Sequence, residues 1–375
     1  MVKQYSQWCE VDLKNLDHNV SEIKRTVGKT KVLAVVKSDA YGHGIIEIAK
    51  RLEVNKDVEY FATNTIGEAV VLRENDIKKP ILVLGYIKKE DIGLIIKNVL
   101  EIELWNSDFV TKLNDYKDHK FKVHIKVDTG MGRLGFPLDQ LKEGLKKVKE
   151  YDNIEIIGIM SHLVAVEEGF IDYTRKQIDR FREAIDIFEK MGFSGLKHLG
   201  ATSTALALPE AYFDMVRCGI GIYGLWPSKE TQEQAVSQDI VLKPLMTFKT
   251  KAIYIRKINQ GDYIGYGCAY KAKKDMIIAV IPIGYYEGLD RRFSNIGEVL
   301  IGGNRGKIVG RVCMNMTMID ITDFSSEVKP RDEVVIFGKS ENDEITPEEY
   351  TEKIGIITYE MTTKIPGFIK KFYIE

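Results

Sequence analysis

Val32-Leu33-Ala34-Val35-Val36-Lys37-Ser38-Asp39-Ala40-Tyr41-Gly42-His43-Gly44 is the stretch that decides the fold of this chain. Five apolar residues in a row, mostly β-branched, predict a buried strand of a parallel sheet. The run stops at Lys37 and passes into a small, polar, glycine-containing turn. A charged lysine at the carboxyl end of a buried strand is costly to desolvate. That cost falls if its pKa drops or if the amine condenses with a carbonyl, so the position favours a Schiff-base lysine. Catalytic groups also collect at the carboxyl ends of barrel strands. A lysine that only snorkels past a core strand meets the same spacing, so the stretch alone leaves both readings open.

On either side the apolar runs recur with helical patterns between them. Strands are predicted at 60–63, 81–84, 101–105, 122–127, 154–160, 196–199 and 215–217, making eight with 32–36. Eight strands alternating with helices over about 200 residues predict a (β/α)8 TIM-type barrel. From about residue 242 the pattern changes to alternating β segments, at 246–255, 276–283, 299–301, 307–312, 317–321 and 333–337. One helix is predicted near 347–354. The expected organisation is therefore a barrel over 1–235 and a mainly β C-terminal domain over 236–375. A first strand near 8–13 is expected to pack with the second domain.

The 375 residues are too many for one ordinary domain. A net charge of −1 with no basic tract gives no attraction to nucleic acid or to an anionic membrane. No apolar run reaches the roughly 20 residues of a membrane span, and the N-terminal residues lack a signal-peptide core. A cytoplasmic location is the expectation. The four cysteines and six histidines are dispersed, so neither a disulfide framework nor a metal site is expected.

Further stretches carry possible chemistry. Lys126-Val127-Asp128-Thr129-Gly130-Met131-Gly132-Arg133-Leu134-Gly135 follows the fifth barrel strand. Its glycines allow close backbone approach, and Arg133 offers a bidentate anion contact. His162 ends the sixth strand, where a histidine is more often a satisfied core residue than a catalyst. His198-Leu199-Gly200-Ala201-Thr202-Ser203 ends the seventh, and a turn of this composition opening a helix suits a phosphate. Arg217-Cys218-Gly219-Ile220-Gly221 ends the eighth.

These motifs, in order over nearly the whole chain, resemble those of the alanine racemase family. AVVKSDAYGHG is similar to the family's pyridoxal-phosphate lysine motif, with Ser38 in place of the usual alanine. The stretch from Lys126 to Gly135 is similar to KVDTGMxRxG, and Val216 to Gly224 to VRPGIxLYG with Cys218 in place of proline. Tyr263 to Tyr270 resembles the segment that carries a second catalytic base, and Gly310 to Asn315 resembles GRxCMDQ.

The resemblance implies a pyridoxal 5'-phosphate (PLP) enzyme that racemises alanine by a two-base mechanism, with Lys37 and Tyr266 as the bases. It puts cofactor contacts on Lys37, Tyr41, His162, Ser203, Arg217, Gly219 and Ile220, and substrate contacts on Arg133 and Met314. It makes Lys126 a candidate for carbamylation and predicts a relay Tyr266–His162–Arg217. It also implies a homodimer with shared active sites, Tyr266 coming from the partner subunit. Asn315 in place of aspartate leaves the local charge balance open. Gly367 stands where ungapped counting expects a tyrosine, which keeps a serine or broad-specificity racemase as the alternative. A non-catalytic PLP-binding barrel is more remote, because such proteins lack the second domain. An acidic partner to the pyridine nitrogen, as decarboxylases of this architecture have, is not found at Arg217.

Overall fold

The computed structural model describes residues 4–375. The chain forms two compact units, one of Leu16–Lys243 and one of Pro244–Glu375 together with the N-terminal segment through Asn15. The division falls later than the expected 235/236, because Asn19 holds Lys243 through both its amide atoms, at 2.8 Å each.

In chain order the principal strands through the first unit are β1 (Gln7–Asp12), which belongs to the second unit, and then β2 (Lys31–Val35), β3 (Tyr60–Thr63), β4 (Ile81–Val83), β5 (Glu101–Leu104), β6 (Phe121–Asp128), β7 (Ile154–Met160), β8 (Leu196–His198) and β9 (Met215–Cys218). All but β1 lie in one parallel sheet, in the order β9-β2-β3-β4-β5-β6-β7-β8. The two ends of that order meet: Asp214 N donates to Lys197 O at 3.0 Å and Arg217 N to Gly200 O at 3.0 Å. The result is a near-closed eight-stranded barrel with helices between its strands, the architecture expected from the alternation.

β2 shows why its sequence reads as an unbroken apolar run. Leu33 and Val35 join Ala62, Leu82, Met160 and Met215 in one buried cluster. Val32, Ala34 and Val36, which alternate with them, are equally buried. Both faces are covered, so no polar alternation survives.

Beyond Lys37 the backbone departs from anything that the composition suggests. Ser38, Asp39, Ala40 and Tyr41 all have φ between 52° and 56°, a left-handed turn without a glycine. Each such residue costs roughly 1–2 kcal/mol, so the turn persists only because its surroundings over-determine it. Ala40 N donates to Val36 O at 2.9 Å, Gly42 N to Ser38 O at 3.0 Å and Gly44 N to Asp39 O at 2.9 Å. The Tyr223 ring carries Tyr41 at 5.0 Å and stacks on His43 at 4.6 Å, while its hydroxyl donates to Val35 O. Glu68 holds the turn from the far side. One carboxylate oxygen accepts from Ser38 N at 2.6 Å, and the other accepts from Asn64 N and Thr65 N.

The second unit centres on a ten-stranded sheet in which β1 pairs antiparallel with Met246–Lys251 and parallel with Lys370–Ile374. The single strand expected at 246–255 is two, Met246–Lys251 and Tyr254–Ile258. The chain changes partner between them, because Ala252 N donates to Asp332 O and Ile253 N to Val280 O. The strand expected at 307–312 is Asn304–Ile308, ended where Gly310 turns at φ 80°. The one helix expected near 347–354 is followed, past Gly355 at φ 66°, by a second at Thr358–Thr363 and a strand at Lys370–Ile374.

Candidate active site

Nine of the singled-out residues, Lys37, Tyr41, Lys126, Arg133, His162, Ser203, Arg217, Gly219 and Ile220, belong to the barrel unit, at or just past the carboxyl ends of its strands. Tyr266 and Met314 belong to the other unit.

Arg217 is the hub. It is buried at the end of β9 and its Nη atoms donate to three carbonyls, Ser161 O at 2.7 Å, Leu199 O at 2.9 Å and His198 O at 3.1 Å. They also meet two imidazoles, His162 Nδ1 at 2.9 Å and His198 Nδ1 at 3.1 Å. A guanidinium only donates, so both Nδ1 atoms must accept, which leaves each neutral ring its proton on Nε2. Burial, together with the Arg217, Lys126, Arg133 and Lys37 charges, drives the His162 pKa well below the ordinary value. His162 is therefore a neutral imidazole with a fixed tautomer.

The same logic continues inward. His198 Nε2 lies 2.9 Å from His124 Nδ1, and His124 Nε2 lies 3.1 Å from Glu101 Oε2. An acceptor-only carboxylate at one end and a donor-only guanidinium at the other give the string one proton direction. His124, Glu101 and the neighbouring Glu103 were not singled out from the sequence. Their signal was present as charged or polar residues at i and i+2 in two buried strands, Glu101 and Glu103 in β5, His124 and Lys126 in β6. Reading it required the pairing of those strands, in which Glu103 stands opposite His124.

Lys37 is half-buried, and its pKa is lowered by burial first, then by Arg133, with Glu68 opposing. Lys126 is nearly fully buried, 3.7 Å from Glu103, and burial pulls its pKa down to about 8. Asp128 shapes the loop that presents Arg133 by accepting from the amides of Gly130, Met131 and Gly132. Glycine is required at Gly135, whose φ is +140° and where a Cβ would meet Asp128 N at 2.4 Å.

An anion cradle forms beside Tyr41. Ser203 is buried, and its hydroxyl donates to the Glu167 carboxylate at 2.8 Å, while Thr202 Oγ1 accepts from Gly219 N and Gly221 N. A Cβ on Gly219 would fall 2.4 Å from Tyr41 Oη. Gly219→Ala should therefore destabilise the protein by about 1–3 kcal/mol through overpacking, read as a lower denaturation midpoint in urea. Tyr41→Phe deletes the nearest atom but leaves the ring Cζ at 2.9 Å, so Gly219→Ala/Tyr41→Phe should regain only part of that loss. An unchanged midpoint for Gly219→Ala would refute the close approach.

In the second unit Tyr266 is 72% exposed and Met314 55% exposed. Gly267 packs on Arg311, whose Nη1 a Cβ there would meet at 3.0 Å. Tyr285 N and Tyr286 N donate to Cys313 O and Met314 O. Asn315 answers the charge question raised by its departure from the motif. Its amide donates to Glu287 Oε1 at 2.7 Å, where an aspartate would face that carboxylate. Among the described residues, no group of three or more His, Cys, Asp or Glu side chains is placed to hold a metal ion, and no helix is long and apolar enough to cross a membrane.

Comparison with known proteins finds relatives over both units. Residues 11–227 match the family model for the alanine racemase N-terminal domain, and residues 245–373 match that for its C-terminal domain. Alanine racemase 2 of Caldanaerobacter subterraneus subsp. tengcongensis is 39% identical over 97% of this chain and 94% of its own length. Alanine racemase 1 of Clostridium acetobutylicum is 36% identical over 98% and 95%. The structure of alanine racemase from Clostridium difficile 630 superimposes with a TM-score of 0.91 at 32% identity, covering 99% of this chain and 96% of that one. On both its halves, and over nearly its full length, the chain belongs to the alanine racemase family.

Proposed function

We propose that this chain interconverts L- and D-alanine using PLP held at the carboxyl end of its barrel. The observation that carries the proposal is Arg217, held by three carbonyls and two neutral imidazoles. When bound, PLP supplies an electron sink conjugated with the substrate Cα. Facing the pyridine nitrogen, a guanidinium cannot accept a proton and so does not support the pyridinium form. The weaker sink suits simple removal and return of the Cα proton and disfavours transamination.

The residues present fit this cofactor. Lys37 would supply the amine, and Ser203 with the amides of Gly219 and Ile220 the phosphate donors, the Ser203 hydroxyl and Gly219 N turning to the phosphate from Glu167 and Thr202 Oγ1. Arg133 and the partner's Met314 amide would receive the substrate carboxylate. Lys37 and Tyr266 of the partner subunit would hold and move the Cα proton on opposite faces, Lys37 acting on the D-isomer and Tyr266 on the L-isomer. His162, neutral and accepting from Arg217, has its Nε2 proton available to orient the tyrosine. The exposed Tyr266, Tyr285, Tyr286 and Met314 of the second unit support a surface that a second copy covers.

The direct test is D/L interconversion across a panel of amino acids. Alanine is expected to be the preferred substrate, and an enzyme inactive on alanine would refute the proposal. Serine as a secondary substrate is favoured by Gly367, where nothing lies within 4 Å of a would-be Cβ. Neighbouring Phe368 stacks on Tyr286 at 5.2 Å. Gly367→Tyr is expected to lower kcat/KM for L-serine relative to L-alanine by about tenfold, the size of one methylene-scale contact. An unchanged ratio would show that Gly367 does not set the pocket.

A further inference from the structure

We propose that Glu103 is the counter-ion of Lys126 and takes the place of a lysine carbamate in this chain. This rests on the racemase reading above and departs from the carbamylation that motif resemblance alone implies. The two side chains rise from adjacent parallel strands, Glu103 from β5 and Lys126 from β6, with Nζ and Oε2 3.7 Å apart. Both are less than a tenth exposed. Carbamylation first takes one proton from the ammonium, then joins the neutral amine nitrogen to the carbon of CO2 with release of a second proton, so a cation is replaced by an anion. Here that anion would form against a buried carboxylate, where screening is weak and like charges repel strongly. The step would also break the ion pair and leave Glu103 buried beside a second negative group.

The local charges point the same way. Burial raises the Glu103 pKa, and the charges of Lys126, Arg217 and Arg133 oppose that rise. As a carboxylate it offsets part of the positive charge of this cluster. The burial that brings Lys126 to about 8 leaves an appreciable fraction of neutral amine near neutral pH. Nucleophilicity is thus not what blocks the modification; the neighbouring carboxylate is.

The test reads the adduct separately from the reaction. Wild-type holoenzyme in 13C-bicarbonate is expected to give no carbamate 13C resonance, and its kcat/KM to be the same in CO2-depleted buffer. Glu103→Gln keeps the side-chain volume and removes the charge. It is expected to gain a carbamate resonance that Glu103→Gln/Lys126→Met lacks. In CO2-depleted buffer Glu103→Gln leaves the Lys126, Arg133 and Arg217 cluster without this carboxylate, so the KM for alanine should shift about tenfold with kcat little changed, and bicarbonate should restore it. A carbamate resonance assigned to Lys126 in the wild type would overturn the proposal. So would a Glu103→Gln protein that matches wild type in both the resonance and KM. Because the resonance is read without turnover, an inactive enzyme would count against the racemase reading and leave this test intact.

Discussion

Lys37→Ala protein is expected to lose racemisation by about 10³–10⁴-fold, the upper range for removing a general acid–base group. The loss should be larger than at any other single position, because the proposed function gives Lys37 two duties, holding the cofactor and moving the proton on one face. Its surroundings prepare both. Burial and Arg133 lower its pKa below that of a free lysine, so more of the amine is neutral and nucleophilic. The left-handed turn from Ser38 to Tyr41, pinned by Glu68 and Tyr223, fixes where the amine points. Borohydride reduction of wild-type holoenzyme, followed by peptide mapping, should find cofactor covalently attached at Lys37. Attachment at any other lysine would end this assignment. In Lys37→Ala, an added primary amine should return part of the activity, which a misfolded protein would not show.

Tyr266→Phe removes one hydroxyl and should reduce racemisation by about 10²–10⁴-fold. The tyrosine is exposed on its own unit, so the substitution should leave the denaturation midpoint nearly unchanged. Exchange of the Cα proton with solvent deuterium should survive better starting from D-alanine than from L-alanine. Equal loss from both isomers would contradict the two-face assignment. Mixing Lys37→Ala with Tyr266→Phe protein should regenerate one intact site per heterodimer. Demonstrated subunit exchange with no returned activity would rule out the shared site.

Some of this molecule is readable in the chain because one residue type at one place has few alternatives. The run from Val32 to Val36 is apolar on both faces, and only a strand covered on both sides needs that. Repeated alternation of such runs with helices gives the barrel, and the lysine and arginine at two strand ends mark the face proposed to bind cofactor and substrate. The second unit was less legible. The segment 246–258 keeps one alternation across Ala252 and Ile253, and period-two patterning carries no information about which strand is the partner. The short helix Thr358–Thr363 and the strand Lys370–Ile374 depend on the same partner choice.

The sequence by itself determined the strand–helix alternation, the site-bearing motifs and the donor-only character of Arg217, because these follow from residue chemistry and short-range period. The left-handed turn at Ser38–Tyr41 was decided by tertiary contacts, since no residue in it prefers positive φ and the cost is met by Tyr223 and Glu68 from elsewhere. The same holds for the string Glu101–His124–His198–Arg217 and the pair Glu103–Lys126. Their members come from different strands, and whether a buried carboxylate meets a histidine, a lysine or nothing depends on register. Register is set by the packing of the whole barrel, which no local stretch of sequence encodes.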